Sequence, residues 1–516
     1  MSAVAAVGSG AARTPARGIT ARWIAVLAFC AYLVTGGGRI VGSDEVTMLE
    51  LSRAMLHGHL DVPEGATLRG PDGKAYTKNA AGQAVLALPL VAAGELVARA
   101  AHLAEPRRSL AVRFVASIFD AWITALMLAV FYAAARGLGI GPSAALAATL
   151  LLGFTTPVWV YAKSYMAEPL QALGLLLALA GSAMAETRAA RRVAAIGFFL
   201  AVSVKASMGP IALLCTLPLL GVRGGRGFVP VLVAAALALA GHLIYDLARF
   251  GNPLETGYGA QATPAAYTTP LLVGLYGLLI SSGKGVLWFA PAIALALPGW
   301  NRMRRADSPG RRAAFGIAAS WIAALALYAT FEHWAGDGSF GPRYLVPLLP
   351  LAFLAVAFAI DRGSRALRRT AWVLGTVGLL VQIGGVSIHY GAEMREVGDY
   401  PYTRALNDPL FMSDSHFNPG RSPIREHWRM LLRNAGEHVR GEAPRLTGEG
   451  EADARVGIGA ADQRRLLHAL DYWWLYLLYA GLPVGLVAPL LMALLVATLA
   501  AALALRRAAL VETRAA

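Results

Sequence analysis

The sequence predicts an all-α protein that crosses a membrane many times, and three observations carry that prediction. Hydrophobic residues fill 57% of its 516 positions and charged residues only 15%. The mean hydropathy is +0.53. The apolar residues also gather in long runs parted by short clusters of Lys and Arg, the pattern of membrane helices whose loops are sorted by charge.

A spanning helix needs roughly 20 mostly apolar residues. Runs of that kind cover 22–40, 110–135, 142–161, 165–185, 193–207, 209–222, 228–249, 284–300, 313–330, 344–360, 370–389 and 472–505, which makes about 12 spans. Arg13, Arg17 and Arg22 precede the first run and acids follow it, so it is expected to stay as an anchor, with 1–21 as a cytoplasmic tail. Next comes a first outer loop, 41–109. Within it Met48, Leu51 and Met55 recur at helical spacing, which predicts a short amphipathic helix along the surface. The apolar stretch 81–104 is read as lying on or dipping into the outer leaflet. Counting it as a span would place the Arg-rich clusters at 188–192, 223–226, 302–312, 362–369 and 506–507 outside. Residues 22–389 thus form a transmembrane module. An extracytoplasmic polar loop or small domain, 390–471, and a C-terminal helix with its tail, 472–516, complete the chain.

The formal net charge of +15 sits in those short clusters, with no basic face interleaved with aromatics, so nucleic acid is excluded as a partner. Cys30 and Cys215 both lie in apolar runs and make no disulfide framework.

Candidate chemistry collects on the predicted outer face. Asp44 and Glu45 stand where the chain leaves the first span. Acids at a helix start favour the macrodipole, a reading that for Glu45 stands level with a place at the substrate; Asp44 is also well placed to act as a general base at a membrane surface. Glu168 precedes Pro169 at the start of another run, the position of a cap or of a second acid. Lys78, Lys284 and Arg343 sit at the edges of apolar segments, beside the glycine-rich stretches GKAYTKNAAG, SSGKG and WAGDGSFGPRYLVP. Each taken alone is as well explained by snorkelling; together they suit a phosphate held at the surface. SSGKG lacks the spacing of a P-loop, so ATP use is not indicated. Tyr76, Tyr258, Trp334 and Tyr344 fit an interfacial belt or faces for a sugar ring. The histidines are dispersed; no cofactor is required, and a divalent ion is left open.

GSDEVTMLELSRAMLHGHL followed by DGKAYTKNAAGQAVLALPL resembles the first outer loop of the GT-C glycosyltransferases, in particular bacterial relatives of protein O-mannosyltransferases and of the lipid A aminoarabinose transferase. GNPLETGYG, GLYGLLISSGKGVLWFAP and FGPRYLVPLLP resemble later segments of the same proteins. The resemblance covers most of 21–380 and fades afterwards. It implies a polyprenyl-phosphate-linked sugar as donor and a periplasmic active site in a bacterial inner membrane. Asp44 would activate the acceptor hydroxyl and Glu168 would be the second acid. Lys78 would contact the carrier phosphate, and Arg53 matches a basic residue of the amphipathic helix. Thr77 stands where the aminoarabinose transferase has a glutamate, and Asn79-Ala80-Ala81 where relatives carry aromatic or proline-rich residues; the first departure weakens any transfer of a metal site.

The expected function is therefore an inverting sugar transfer from a polyprenyl phosphate to a hydroxyl of a lipid, glycan or protein acceptor. The rival expectation is a lipid-linked sugar flippase, which would place its polar groups near the bilayer midplane and often show internal symmetry. No repeat is visible in the sequence.

Overall fold

The computed structural model describes residues 15–63, 67–221, 227–405, 408, 410–448 and 458–515. Its principal helices are α1 (Pro15–Val34), α2 (Ser43–Leu56), α3 (Ala81–Ala100), α4 (Arg107–Ala116), α5 (Ile118–Gly137), α6 (Pro142–Phe154), α7 (Glu168–Ala183) and α8 (Arg188–Val204). Then follow α9 (Val229–Phe250), α10 (Ser308–Thr330), α11 (Leu349–Asp361), α12 (Arg365–Ser387), α13 (Tyr390–Val397), α14 (Pro423–Val439) and α15 (Val484–Ala515). One small feature departs from the all-α expectation. In the first outer loop β1 (Thr67–Arg69) and β2 (Ala75–Thr77) form an antiparallel hairpin, with Thr67 opposite Thr77 and Arg69 opposite Ala75.

Among the described residues eight helices are long and apolar enough to cross a membrane, accompanied by three shorter apolar helices. The difference from about 12 sequence segments has a local cause, because proline and glycine break several runs. The run at 284–300 divides into Val286–Phe289, a 3-10 stretch Pro291–Leu295 and Ala296–Met303. The run at 209–222 yields only Gly209–Cys215 and the 3-10 stretch Leu217–Gly221, and 472–505 splits into Trp473–Tyr479 and α15.

Helix α11 is the axis of the bundle, with Leu349 through Ile360 buried, and α6 and Ala296–Met303 pack on it. The tightest pair is the hairpin of α7 and α8. Gly174, Gly181 and Gly197 let its two backbones meet, and a Cβ at Gly197 would lie 2.3 Å from the Ala178 nitrogen. Small residues at such a crossing are how helices gain packing in lipid. Gly197→Leu is expected to prise the hairpin apart and destabilise the protein by about 1–3 kcal/mol; thermal unfolding in detergent would measure it.

The antiparallel hairpin also sorts charge. Glu168 opens α7 and Lys205 follows α8 at one end, while Arg188, Arg191 and Arg192 mark the other. At that other end Arg312 donates to the Ala183 carbonyl, Arg302 to the Arg362 carbonyl, and Arg136 pairs with Glu512. Four of the basic clusters therefore share the end opposite Glu168; the fifth, Arg223 with Arg226, lies outside the described residues, as does most of the tail 1–21.

Helix α3 is a spanning candidate by length and composition, and it packs along α2 and against the turn before Glu168. Near its start Gln83 donates to the Tyr165 carbonyl, and the next residue, Ala84, accepts from Ser52 of α2. Three turns later Glu95 pairs with Arg53 and Arg108. The polar block is likewise folded there. Asp471 at its close accepts from Arg39 at 2.9 Å and Lys163 at 2.8 Å, tying the block to both the first span and the turn before α7.

Candidate active site

Three segments far apart in sequence meet at this end. Asp44 lies in the first turn of α2, where the macrodipole favours a negative charge. The turn is fixed by its neighbour, because Glu45 accepts from the Gly42 N–H at 2.7 Å and from the Tyr165 N–H at 2.8 Å. The second bond pins the start of α2 beside the turn that leads into Glu168. Glu45, expected at the substrate, is thus buried and spent on backbone.

Arg343 then joins the two acids. Its Nε donates to Glu168 Oε1 at 2.6 Å and its Nη2 to Asp44 Oδ2 at 3.2 Å. The guanidinium is aimed by a loop in which Gly336 and Gly341 both take left-handed φ, +71° and +70°. A Cβ at Gly336 would stand 2.8 Å from that of Arg343, so the approach needs glycine. Lys284 sits beneath this loop, donating to the Asp337 and Ser339 carbonyls at 3.0 and 2.8 Å.

The hairpin delivers Lys78. Asn79 is held by Thr47 of α2 and the Thr77 carbonyl by Arg249 of α9, so the residue between them has a fixed backbone. Lys78 Nζ lies 3.6 Å from Asp44 Oδ1 and 5.4 Å from the centre of the Tyr258 ring. Lys205, which the sequence reading missed, completes the group. Its ammonium stands 4.7 Å from the ring of Tyr344, which stacks on Tyr328 at 4.5 Å. Among the described residues its nitrogen has no hydrogen-bonded or ion-paired partner.

Charges explain how the group behaves. Burial works against ionisation of Asp44, but Arg343 and then Lys78 outweigh it and hold its carboxyl below the usual range. Three cations face two carboxylates, so one positive charge is left over. Lys205 is where it goes unanswered. Among the described residues the buried second oxygen of Glu168 and the nearby Tyr161 hydroxyl have no hydrogen-bond partner. Both await a hydrogen-bonding ligand or water.

The other sequence candidates are engaged elsewhere. Arg53 pairs with Glu50, Glu95 and Glu105. Tyr76 donates to Asp72 and packs edge-on against Phe250. Trp334 is buried against His416 and Phe417. Among the described residues no group of three or more His, Cys, Asp or Glu side chains could hold a metal ion.

Behind the site the buried Glu393 of α13 has one oxygen without a partner among the described residues, and its pKa is pushed up to about 8, first by burial and then by Asp399. A carboxyl raised in this way binds its proton more tightly folded than unfolded, so stability is present at low pH and lost as pH rises toward 8. Glu393→Gln is expected to flatten that loss. Unfolding temperatures from pH 5 to 8 would check it, and parallel curves for the two proteins would count against it.

No protein-family model and no curated protein matches the chain. Among solved structures, ArnT from Cupriavidus metallidurans bound to undecaprenyl phosphate superposes with a TM-score of 0.50 at 16% identity, covering 89% of this chain and 77% of that one. The apo form of the same protein gives 0.48 at 15% identity, covering 87% and 83%. The polytopic helical fold built above is therefore shared with that ArnT structure.

Proposed function

We propose that the protein is a membrane glycosyltransferase that moves a sugar from a polyprenyl phosphate to an acceptor hydroxyl. The observation that carries the reading is the convergence of Asp44 and Glu168 on Arg343, with Lys78 and Lys205 alongside. The bound undecaprenyl phosphate of the ArnT structure supports a donor of this kind. The site lies at the outer, periplasmic face, opposite the Arg-rich end, because Lys and Arg are retained inside.

In the reaction, the donor phosphate occupies the cationic side of the group, where Lys205 offers an unanswered charge and Lys78 a second ammonium. Asp44 takes the proton of the acceptor hydroxyl as its oxygen attacks the anomeric carbon. The bond from that carbon to the phosphate oxygen breaks in the same displacement, inverting the carbon and releasing polyprenyl phosphate. Preorganised cations stabilise the charge that grows on the phosphate. They also couple the two halves of the chemistry: as Arg343 and Lys78 turn toward phosphate, their hold on Asp44 loosens and the carboxylate becomes a stronger base. Glu168 orients Arg343 through one oxygen and offers the other to the acceptor.

The test is transfer from a panel of radiolabelled polyprenyl-phosphate sugars by purified protein in detergent, with lipid, glycan and peptide acceptors. Transfer with release of polyprenyl phosphate is the expected result. Donor binding without transfer to any acceptor, together with movement of the donor across vesicles, would replace the reading by a flippase.

A further inference from the structure

Helix α14 belongs to the block that its charge marks as polar, yet it carries an apolar stripe that the described residues leave largely uncovered beyond Trp428. Its inward face is set by Pro423, His427, Met430 and Asn434, all buried. The opposite face presents Trp428, Leu432, Ala435 and Val439 at helical spacing, with Leu432 67% and Val439 89% exposed. A solvated helix of an outer domain would carry polar residues there.

Where the stripe sits says what covers it. The Trp428 indole donates to the Leu380 carbonyl of α12 at 3.1 Å, and His427 meets the Gly384 carbonyl one turn later. Leu380 lies about two turns below the end of α12, at Ser387, hence roughly 10 Å down a helix rising 1.5 Å per residue. The outward face of α12 is itself apolar at this level, with Val373, Val377 and Leu380 exposed as a membrane span requires. The stripe of α14 is a lateral continuation of that lipid-facing surface. Aromatic side chains favour the boundary between water and hydrocarbon, which suits an indole beside a lipid-facing helix, and the exposed Arg425 at the N-terminal end of α14 is long enough to reach headgroup phosphates.

We infer that α14 is an in-plane membrane helix, its Trp428–Val439 stripe seated at the boundary between acyl chains and headgroups of the leaflet on the active-site side. The occupant is phospholipid and not a protein partner. The block 390–471 is thereby moored to the bilayer beside the site instead of standing clear in solution.

Nitroxide labels on single cysteines read this directly, since Cys30 and Cys215 are both buried. The labels go at Leu432 and Val439, with Val377 as the lipid-facing reference and Glu442 as the aqueous one. The protein is placed in nanodiscs of phosphatidylethanolamine and phosphatidylglycerol. Collisions with oxygen should dominate over those with a nickel chelate at Leu432 and Val439, as at Val377. Chelate-dominated relaxation, as at Glu442, would overturn the inference. Protection from both reagents would overturn it too, by showing a protein partner on the stripe. The readout does not depend on sugar transfer, so it stands or falls apart from the enzymatic reading.

Discussion

Asp44→Asn is expected to lower sugar transfer by about 100-fold to 10,000-fold, the usual cost of losing a general base, while the protein stays folded and binds donor. Asparagine keeps the shape of the side chain and can still meet Lys78 and Arg343 through its carbonyl oxygen. What it lacks is the charge that accepts a proton. Comparing single-turnover rates with donor affinity separates the two roles. A variant that binds donor normally and turns over normally would remove Asp44 from the chemistry. One that fails to bind donor would recast it as a residue that positions the two cations.

Arg343→Ala is expected to have the largest effect on stability. Glu168 is buried, and Arg343 is its only ion-paired partner among the described residues. Removing one member of such a pair strands the other charge, at a cost of about 3–5 kcal/mol. Arg343→Lys keeps a charge but not the fork that reaches both acids, so it should recover part of the stability and little of the activity. The double variant Arg343→Leu with Glu168→Leu should unfold near the wild-type temperature and remain inactive, because well-packed apolar residues can replace a buried pair without loss. Thermal unfolding in detergent beside transfer assays would decide. A double variant as unstable as Arg343→Ala would mean that the pair contributes through packing and not through charge.

Much of this site could be read from residue chemistry alone. Asp44, Glu168, Lys78 and Arg343 each stand at the edge of an apolar run, and a charge in that position is costly enough to invite a reason. What the sequence does not display is which cations are already spent. Lys284 and Arg343 look alike as edge cations, yet one holds three groups of a loop and the other bridges two carboxylates, a difference set by folding at Gly336 and Gly341. Lys205 escaped notice because it lies in SVKASMGP, inside the apolar run 193–207 and away from the loops where charge was sought. A cation in the midst of such a run was itself the signal. The breaks in 284–300 and 472–505 escaped for a related reason. Hydropathy averages over a window, whereas a single proline or glycine ends a helix locally.

The clasp of Asp471 on Arg39 and Lys163 has a consequence for the order in which the protein comes into being. Arg39 leaves the ribosome 432 residues before its counter-charge. Until then Arg39, and Lys163 just before the turn into Glu168, lack that acid, although Asp44, Lys78, Glu168, Lys205 and Arg343 have all been synthesised. Burial alone would raise the Asp471 carboxyl, yet Lys163 and Arg39 outweigh it and hold the carboxyl below its ordinary range. A nascent chain would thus hold all five of those charged residues without their final support. Assembly of the site would end with the arrival of the last outer segment, a built-in delay between insertion and competence.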